Sequence, residues 1–130
     1  MKVLIDTSIL IPFLKKEASA VSKIKELSSY CEFYTSTINI YEIQKGAMLS
    51  PSSKKDLEGI ERLCKNLHVL QIDLQSAQKA AQIFAELRKK GKPIDEADYL
   101  IAGCALSNGV SAILTGNKKH FEHISGLKVL

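Results

Sequence analysis

The sequence predicts an α/β domain whose mostly parallel sheet of about five strands carries helices on both faces. Three observations carry that expectation. Short apolar runs at 2–6, 32–36, 68–72, 111–115 and 127–130 are separated by helical periodicity, not by hairpin turns. The first run, Val3-Leu4-Ile5, is continuous instead of alternating, as a strand buried on both faces requires. The connections are long enough for right-handed crossovers.

The elements follow in order. After the strand at 2–6, a short apolar helix is expected over about 7–15 and a second from Ala18 to about Ser29. The strand "EFYTS" leads into "INIYEIQKGAML", with helical spacing at Ile40, Ile43 and Ala47, closed by the turn chemistry of "SPSS". A helix from about Lys54 to Leu67 turns Leu57, Ile60 and Leu63 or Cys64 inward, and "HVLQI" is the third strand. From Leu74 to Lys90, Ala77, Ala81, Phe84, Ala85 and Leu87 define an apolar face, and Gly91 ends the helix. A helix over about 95–107 faces Leu100, Ile101, Cys104 and Ala105 inward. The strand "SAILT", a short segment "NKKHFEHI" packed through Phe121 and Ile124, and the strand "LKVL" complete the chain. Residues 1–130 read as one domain, without repeats or linkers.

Bulk properties narrow the class. At 45% hydrophobic and 25% charged residues, the composition is that of an ordinary globular protein, for which disorder is not the default. Cys31, Cys64 and Cys104 form no close pair, which argues against a disulfide framework or a zinc ribbon and for reduced thiols. The sequence shows no charged-then-apolar leader and no membrane-length apolar run, so a cytoplasmic location with no membrane partner is expected.

Asp6, Glu42 and Asp98 each fall just after a strand or just inside a helix, and in a parallel sheet those places share one edge. Two carboxylates at about 4 Å repel by roughly 4 kcal/mol at an effective dielectric near 20. A shared proton, a basic neighbour or a divalent cation offsets that cost. Amide dipoles at helix N-termini disfavour the shared proton, and no Lys or Arg adjoins Asp6 or Asp98, so Mg²⁺ or Mn²⁺ with oxygen ligands is the natural solution. A water on such an ion has a lowered pKa and serves as a nucleophile for phosphodiester cleavage. The net charge of +4 adds a second hint: of 14 acidic residues, removing these three leaves 11 against 18 basic ones, an acidic notch in a basic surface suited to nucleic acid. Capping is the competing explanation, since Asp95 with Asp98, and Asn39 with Glu42, have the spacing of N-cap and N3, and Ile94 with Tyr99 that of a hydrophobic staple.

As a set, "VLIDTSILIPFL" at 3–14, "TINIYEI" at 37–43, "IDEADYLIAGCALSNG" at 94–109 and "ILTGNKKHFEHISGL" at 113–127 resemble the PIN domain family, and within it the small VapC-like toxins of toxin–antitoxin pairs. The resemblance implies a three-layer α/β/α sandwich around a five-stranded parallel sheet and a Mg²⁺- or Mn²⁺-dependent endoribonuclease. It places catalytic metal ligands at Asp6, Glu42 and Asp98. The family's fourth position, commonly Asp, falls on Asn117, a neutral side chain and a poorer ligand for a hard cation. Asp95, one turn before Asp98, replaces some of that charge in this scheme. Ser8 and Thr115 orient the Asp6 carboxylate or a bound water, whereas Thr7 is assigned to turn and cap hydrogen bonding. Lys45, Lys118, Lys119 and His120 are the expected substrate contacts. RNA as substrate, a small VapB-like antitoxin and a homodimer are the implied partners, with the apolar segment Ile9–Leu14 a candidate antitoxin groove or dimer surface. The alternative is a non-catalytic PIN-like module that binds RNA or protein, with Asn117 as the feature in its favour. A phosphohydrolase loop at "DTS" ranks last, because Ser8 stands where such a loop needs its second acid.

Overall fold

The computed structural model describes residues 1–130. The chain runs β1 (Lys2–Ile5), α1 (Thr7–Leu14), α2 (Ala18–Leu27), β2 (Glu32–Ser36), α3 (Thr37–Met48), α4 (Ser53–Asn66), β3 (His68–Leu70), α5 (Leu74–Lys89), α6 (Glu96–Ser107), β4 (Ala112–Leu114), α7 (Lys118–Phe121) and β5 (Lys128–Val129). Five parallel strands lie in the order β3-β2-β1-β4-β5. Three of the four crossovers contain two helices, so the chain alternates strands with helix pairs.

Central β1 explains the continuous apolar run. Val3, Leu4 and Ile5 are all buried, Val3 and Ile5 against α1–α4 and Leu4 against α5–α7. Each such side chain contributes about 1.5–3 kcal/mol over an exposed position. The core is accordingly split by the sheet. Leu10, Leu27, Ile43, Ile60 and Leu63 fill one side, and Ile83, Leu87, Ile101 and Phe121 the other.

The expected strands are all present; β2 keeps its expected bounds and the other four are shorter. Asp6 leaves β1 to become the N-cap of α1, although its amide still donates to the Leu114 carbonyl at 2.9 Å. The expected strand through Ile72 stops at Leu70, because Asp73 turns to cap α5 by accepting from the Ser76 amide. The short segment "NKKHFEHI" is helical over Lys118–Phe121.

One face assignment is corrected. Ser76, Ala80, Ile83 and Leu87 are the buried residues of α5, whereas Ala77, Ala81 and Ala85 face outward and Phe84 is 38% exposed. Alanines occur on both faces, so hydrophobicity alone does not choose between them. Close helix approach does. A Cβ on Gly103 of α6 would stand 2.6 Å from the Ala80 amide nitrogen and 2.7 Å from the Ser76 carbonyl oxygen, so the α5–α6 contact needs glycine facing small residues. Gly91, expected to end α5, has φ +66°.

Candidate metal centre at the carboxyl edge

β1 lies between β2 and β4, and the chain departs from it in opposite directions, which makes the β1/β4 junction a topological switch point. Asp6 follows β1 there and Thr115 follows β4. The two side chains meet: Thr115 Oγ1 donates to Asp6 Oδ2 at 2.8 Å, and Ser8 Oγ donates to the same oxygen at 2.9 Å. Each hydroxyl is itself held by an amide, Ser8 by Gly116 N at 2.8 Å and Thr115 by Asn117 N at 2.9 Å.

The other oxygen of Asp6 receives Asn39 Nδ2 at 3.2 Å. The second Asn39 amide proton goes to Thr7 Oγ1 at 2.9 Å, and Thr7 in turn donates to Glu42 Oε1 at 2.7 Å. A continuous chain of hydrogen bonds thus links Asp6 to Glu42. Asn39 is fixed by its own carbonyl oxygen, which accepts from Ser36 Oγ at 2.6 Å and from the Ser36 amide in the capping box of α3. Its four polar partners leave only one amide orientation consistent with the network.

Two expectations change here. Asn39 and Glu42 are not a cap pair: Ser36 is the N-cap of α3, Asn39 stands at N3, and Glu42 lies a turn further in with its carboxylate free of capping. Thr7 is not only a turn residue, because its hydroxyl bridges Asn39 and Glu42. Neither role has a signal in spacing, since each depends on β1, β2 and α3 being brought together by the sheet.

Asp98 approaches from α6. It is half-buried and stands at N3, while Asp95 takes the N-cap backbone conformation without a side-chain cap bond. The capping explanation therefore does not account for either carboxylate. His120 Nδ1 lies 2.7 Å from Asp98 Oδ2, so the ring of His120, one of the expected substrate contacts, is turned onto Asp98. Burial pushes the Asp98 carboxyl above the usual carboxylate range, the charges of Asp6 and Asp95 add to the rise, and the His120 contact opposes it. Ligand atoms of Asp95, Asp98 and His120 all fall within 4.8 Å of one another.

The remaining candidates are peripheral. Asn117 is exposed, and its side chain makes no cap bond at the start of α7. Lys118 and Lys119 are exposed beside it, and Lys45 extends over the Tyr41 ring at 5.1 Å. Lys118 also lines a cleft of about 330 Å³ with Ser8, Thr115 and Lys23, a cation that sequence reasoning passed over because it sits on the otherwise unremarked α2. Lys90 of the "RKKGK" run is engaged structurally, with Glu86 and the His123 carbonyl, both at 2.9 Å.

The profile of the PIN domain family matches residues 3–127. The chain belongs to the PIN domain family. Within it, the sequence is 32% identical to a tRNA(fMet)-specific endonuclease VapC of Shigella flexneri, over 98% of this chain and 96% of the relative. It is also 32% identical to Ribonuclease VapC1 of Methanocaldococcus jannaschii, over 98% and 86%. The DNA-bound VapBC structure from Salmonella typhimurium superposes with a TM-score of 0.86 at 32% identity, covering 100% of this chain and 97% of that one. VapBC2 from Rickettsia felis, bound to a promoter DNA fragment, gives 0.87 at 22% identity, covering 100% and 98%, a likeness of fold alone.

The donor set of this PIN domain suits a hard cation. Asp6 has spent about three of its four lone-pair sites and keeps one on Oδ1. Asp98 is raised by burial, with the charges of Asp6 and Asp95 adding to the rise, and a divalent charge beside it relieves both. Within the layer formed by α1–α4, Leu10, Phe13, Val21, Ile24 and Leu63 line an apolar groove of about 650 Å³ between α1, α2 and α4. No helix is long and apolar enough to cross a membrane.

Proposed function

We propose that this PIN domain is a divalent-metal-dependent endoribonuclease and the toxin of a type II toxin–antitoxin pair. The observation that carries the proposal is the hydrogen-bonded array joining Asp6 to Glu42 at the switch point, with half-buried Asp98 added from α6. The VapC ribonuclease relatives, matched over nearly the full chain, supply the substrate class.

Asp6, Glu42 and Asp98 would hold Mg²⁺ or Mn²⁺, which supplies charge neutralisation at the phosphate and a nucleophile from water. The chain's own residues make that centre rigid. Ser8 and Thr115 hold Asp6 Oδ2, Asn39 holds Oδ1, and Thr7 aims Glu42, so ligand geometry is set before substrate arrives. Lys118, Lys119, Lys45 and Lys23 surround the edge with positive charge for an RNA backbone. Asn117 lends a carbonyl or orients a water, and Asp95 adds charge beside Asp98.

The solved VapBC neighbours are toxin–antitoxin complexes. A VapB-like antitoxin segment with apolar side chains fits the groove over α1, α2 and α4. Homodimer formation belongs to the same proposal, and sedimentation of the purified protein tests it. The function itself is tested by incubating a panel of single-stranded and structured RNAs with the protein and Mn²⁺ or Mg²⁺, with and without chelator, beside folded Asp98→Asn. Cleavage that needs the metal and vanishes in the variant is expected. Intact RNA together with no saturable Mn²⁺ binding would leave a non-catalytic RNA- or protein-binding module.

A further inference from the structure

The cleft beside Asp6 offers chemistry that the candidate metal ligands do not use. Its volume is about 330 Å³, and its lining includes Ser8 and Thr115, the two hydroxyls that hold Asp6 Oδ2. An occupant would therefore lie one hydroxyl away from the candidate metal centre. Lys23 of α2 and Lys118 of α7 reach the cleft from separate elements, and neither ammonium is engaged in an ion pair within the protein. The one acid in the lining, Glu17, takes the N-cap position of α2. Two cations against one acid leave the cleft positive, as a phosphate requires.

Pro12 adds a hydrogen-bond acceptor to this setting. It stands inside α1, where its nitrogen carries no proton, so the helical bond that residue 12 would close onto the Ser8 carbonyl is missing. Ser8 and Pro12 both line the cleft, together with Ile9. A half-buried carbonyl in want of a donor, next to a positive pocket, matches a ribose: the 2′-hydroxyl can donate where deoxyribose has nothing to offer.

We propose that this cleft takes the nucleotide next to the scissile phosphate, with its own phosphate between Lys23 and Lys118 and its ribose 2′-hydroxyl donating to the Ser8 carbonyl. The inference rests on the ribonuclease reading of the carboxyl edge and adds to it a means of choosing ribose over deoxyribose. The volume lies at the lower end of the roughly 300–1,000 Å³ typical of small-ligand sites, room for one nucleotide and not for a duplex. Seating a nucleotide there fixes the register of a single strand against Asp6.

Fluorescence anisotropy of a mixed-sequence single-stranded oligoribonucleotide and of its all-deoxy counterpart, titrated with the whole protein in chelator at several salt concentrations, tests both contacts without cleavage. Lys23→Gln and Lys118→Gln should each weaken both strands and lower the slope of log affinity against log salt by about 0.7. Lys65→Gln, on α4 and paired with Glu61, should leave the slope unchanged. Pro12→Ala supplies the amide proton that closes the helical bond onto Ser8, so it should cut the preference for the RNA strand about two- to tenfold while keeping the parental affinity for the DNA strand and the parental salt slope. Failure of the parent protein to bind either strand, an unchanged slope in both lysine variants, or an RNA preference that survives in folded Pro12→Ala overturns the proposal. Failure of the nuclease reading is distinct: RNA stays intact with Mn²⁺ while these differences in binding persist.

Discussion

Asp6 and Asp98 are two carboxylates of the proposed site, held in opposite ways. Asp6 is buried to 4% exposure and accepts three side-chain hydrogen bonds, from Ser8, Asn39 and Thr115, each itself held by the fold. Asp98 is half-buried with one side-chain partner, His120, and carries the repulsion of Asp6 and Asp95. The first is stabilised as an anion by donors. The second is an anion the protein tolerates, and a cation is its natural complement. A metal centre assembled this way would have a rigid wall on the β1 side and an adjustable one on the α6 side.

The sharpest test of that contrast exchanges each acid for its amide. Asp6→Asn and Asp98→Asn should each lower metal-dependent cleavage by about three decades, the several kcal/mol such a centre supplies. Their effects on ion-free stability should differ in sign. Asn at position 6 turns an NH₂ toward hydroxyl donors and costs about 1–3 kcal/mol in denaturant unfolding. Asn at position 98 removes a group whose folded-state pKa lies above its unfolded value. Between those two values the unfolded chain binds fewer protons than the folded one, so the Asp98 contribution falls as pH rises through that window. Asp98→Asn is therefore expected to stabilise the ion-free protein at neutral pH and to make no difference below the window. Equal destabilisation by both variants would end the comparison.

Gly103→Ala probes the adjustable wall through its backbone. Its Cβ would meet three backbone atoms of α5 at 2.6–2.9 Å, so α6 must shift, at about 3 kcal/mol of stability. Near-parental Tm in this variant would contradict the close α5–α6 packing. A smaller effect is expected on the rigid wall from Thr115→Val, which deletes one of the three donors to Asp6: about 1–2 kcal/mol of stability and ten- to hundredfold in Mn²⁺ affinity, read by titration.

The smallest effect lies outside both walls. Glu86 on α5 accepts from Ser125 and Lys90, which hold its carboxyl down at about 2. Its folded pKa is depressed, so its contribution to stability is present above the ordinary glutamate value of 4.5 and is lost as pH falls from there toward 2. Glu86→Gln should flatten the acid limb of a Tm-against-pH profile and leave Mn²⁺ binding unchanged. A parallel loss of Mn²⁺ affinity would show that this tie, through the segment after α7, also positions His120.

The sequence by itself determined the layered architecture and singled out the three acids of the proposed site. Continuous apolarity at Val3-Leu4-Ile5 implies a strand covered on both sides, and a parallel sheet then collects the residues that follow its strands on one edge. Short motifs spread over the chain were enough to place it in the PIN family before any contact was known. Tertiary structure decided what no spacing encodes. Asn39 and Thr7 look like ordinary helix-start residues, and only the adjacency of β1 and β2 makes them a bridge between Asp6 and Glu42. His120 looks like a surface cation, and only the packing of α7 beside α6 turns its ring onto Asp98. The buried face of α5 was likewise settled by Gly103, because alanines on both sides give equal hydrophobicity and only a close neighbour distinguishes them. Periodicity reports which residues one element can bury; which side chains from different elements come within hydrogen-bonding distance depends on how those elements dock.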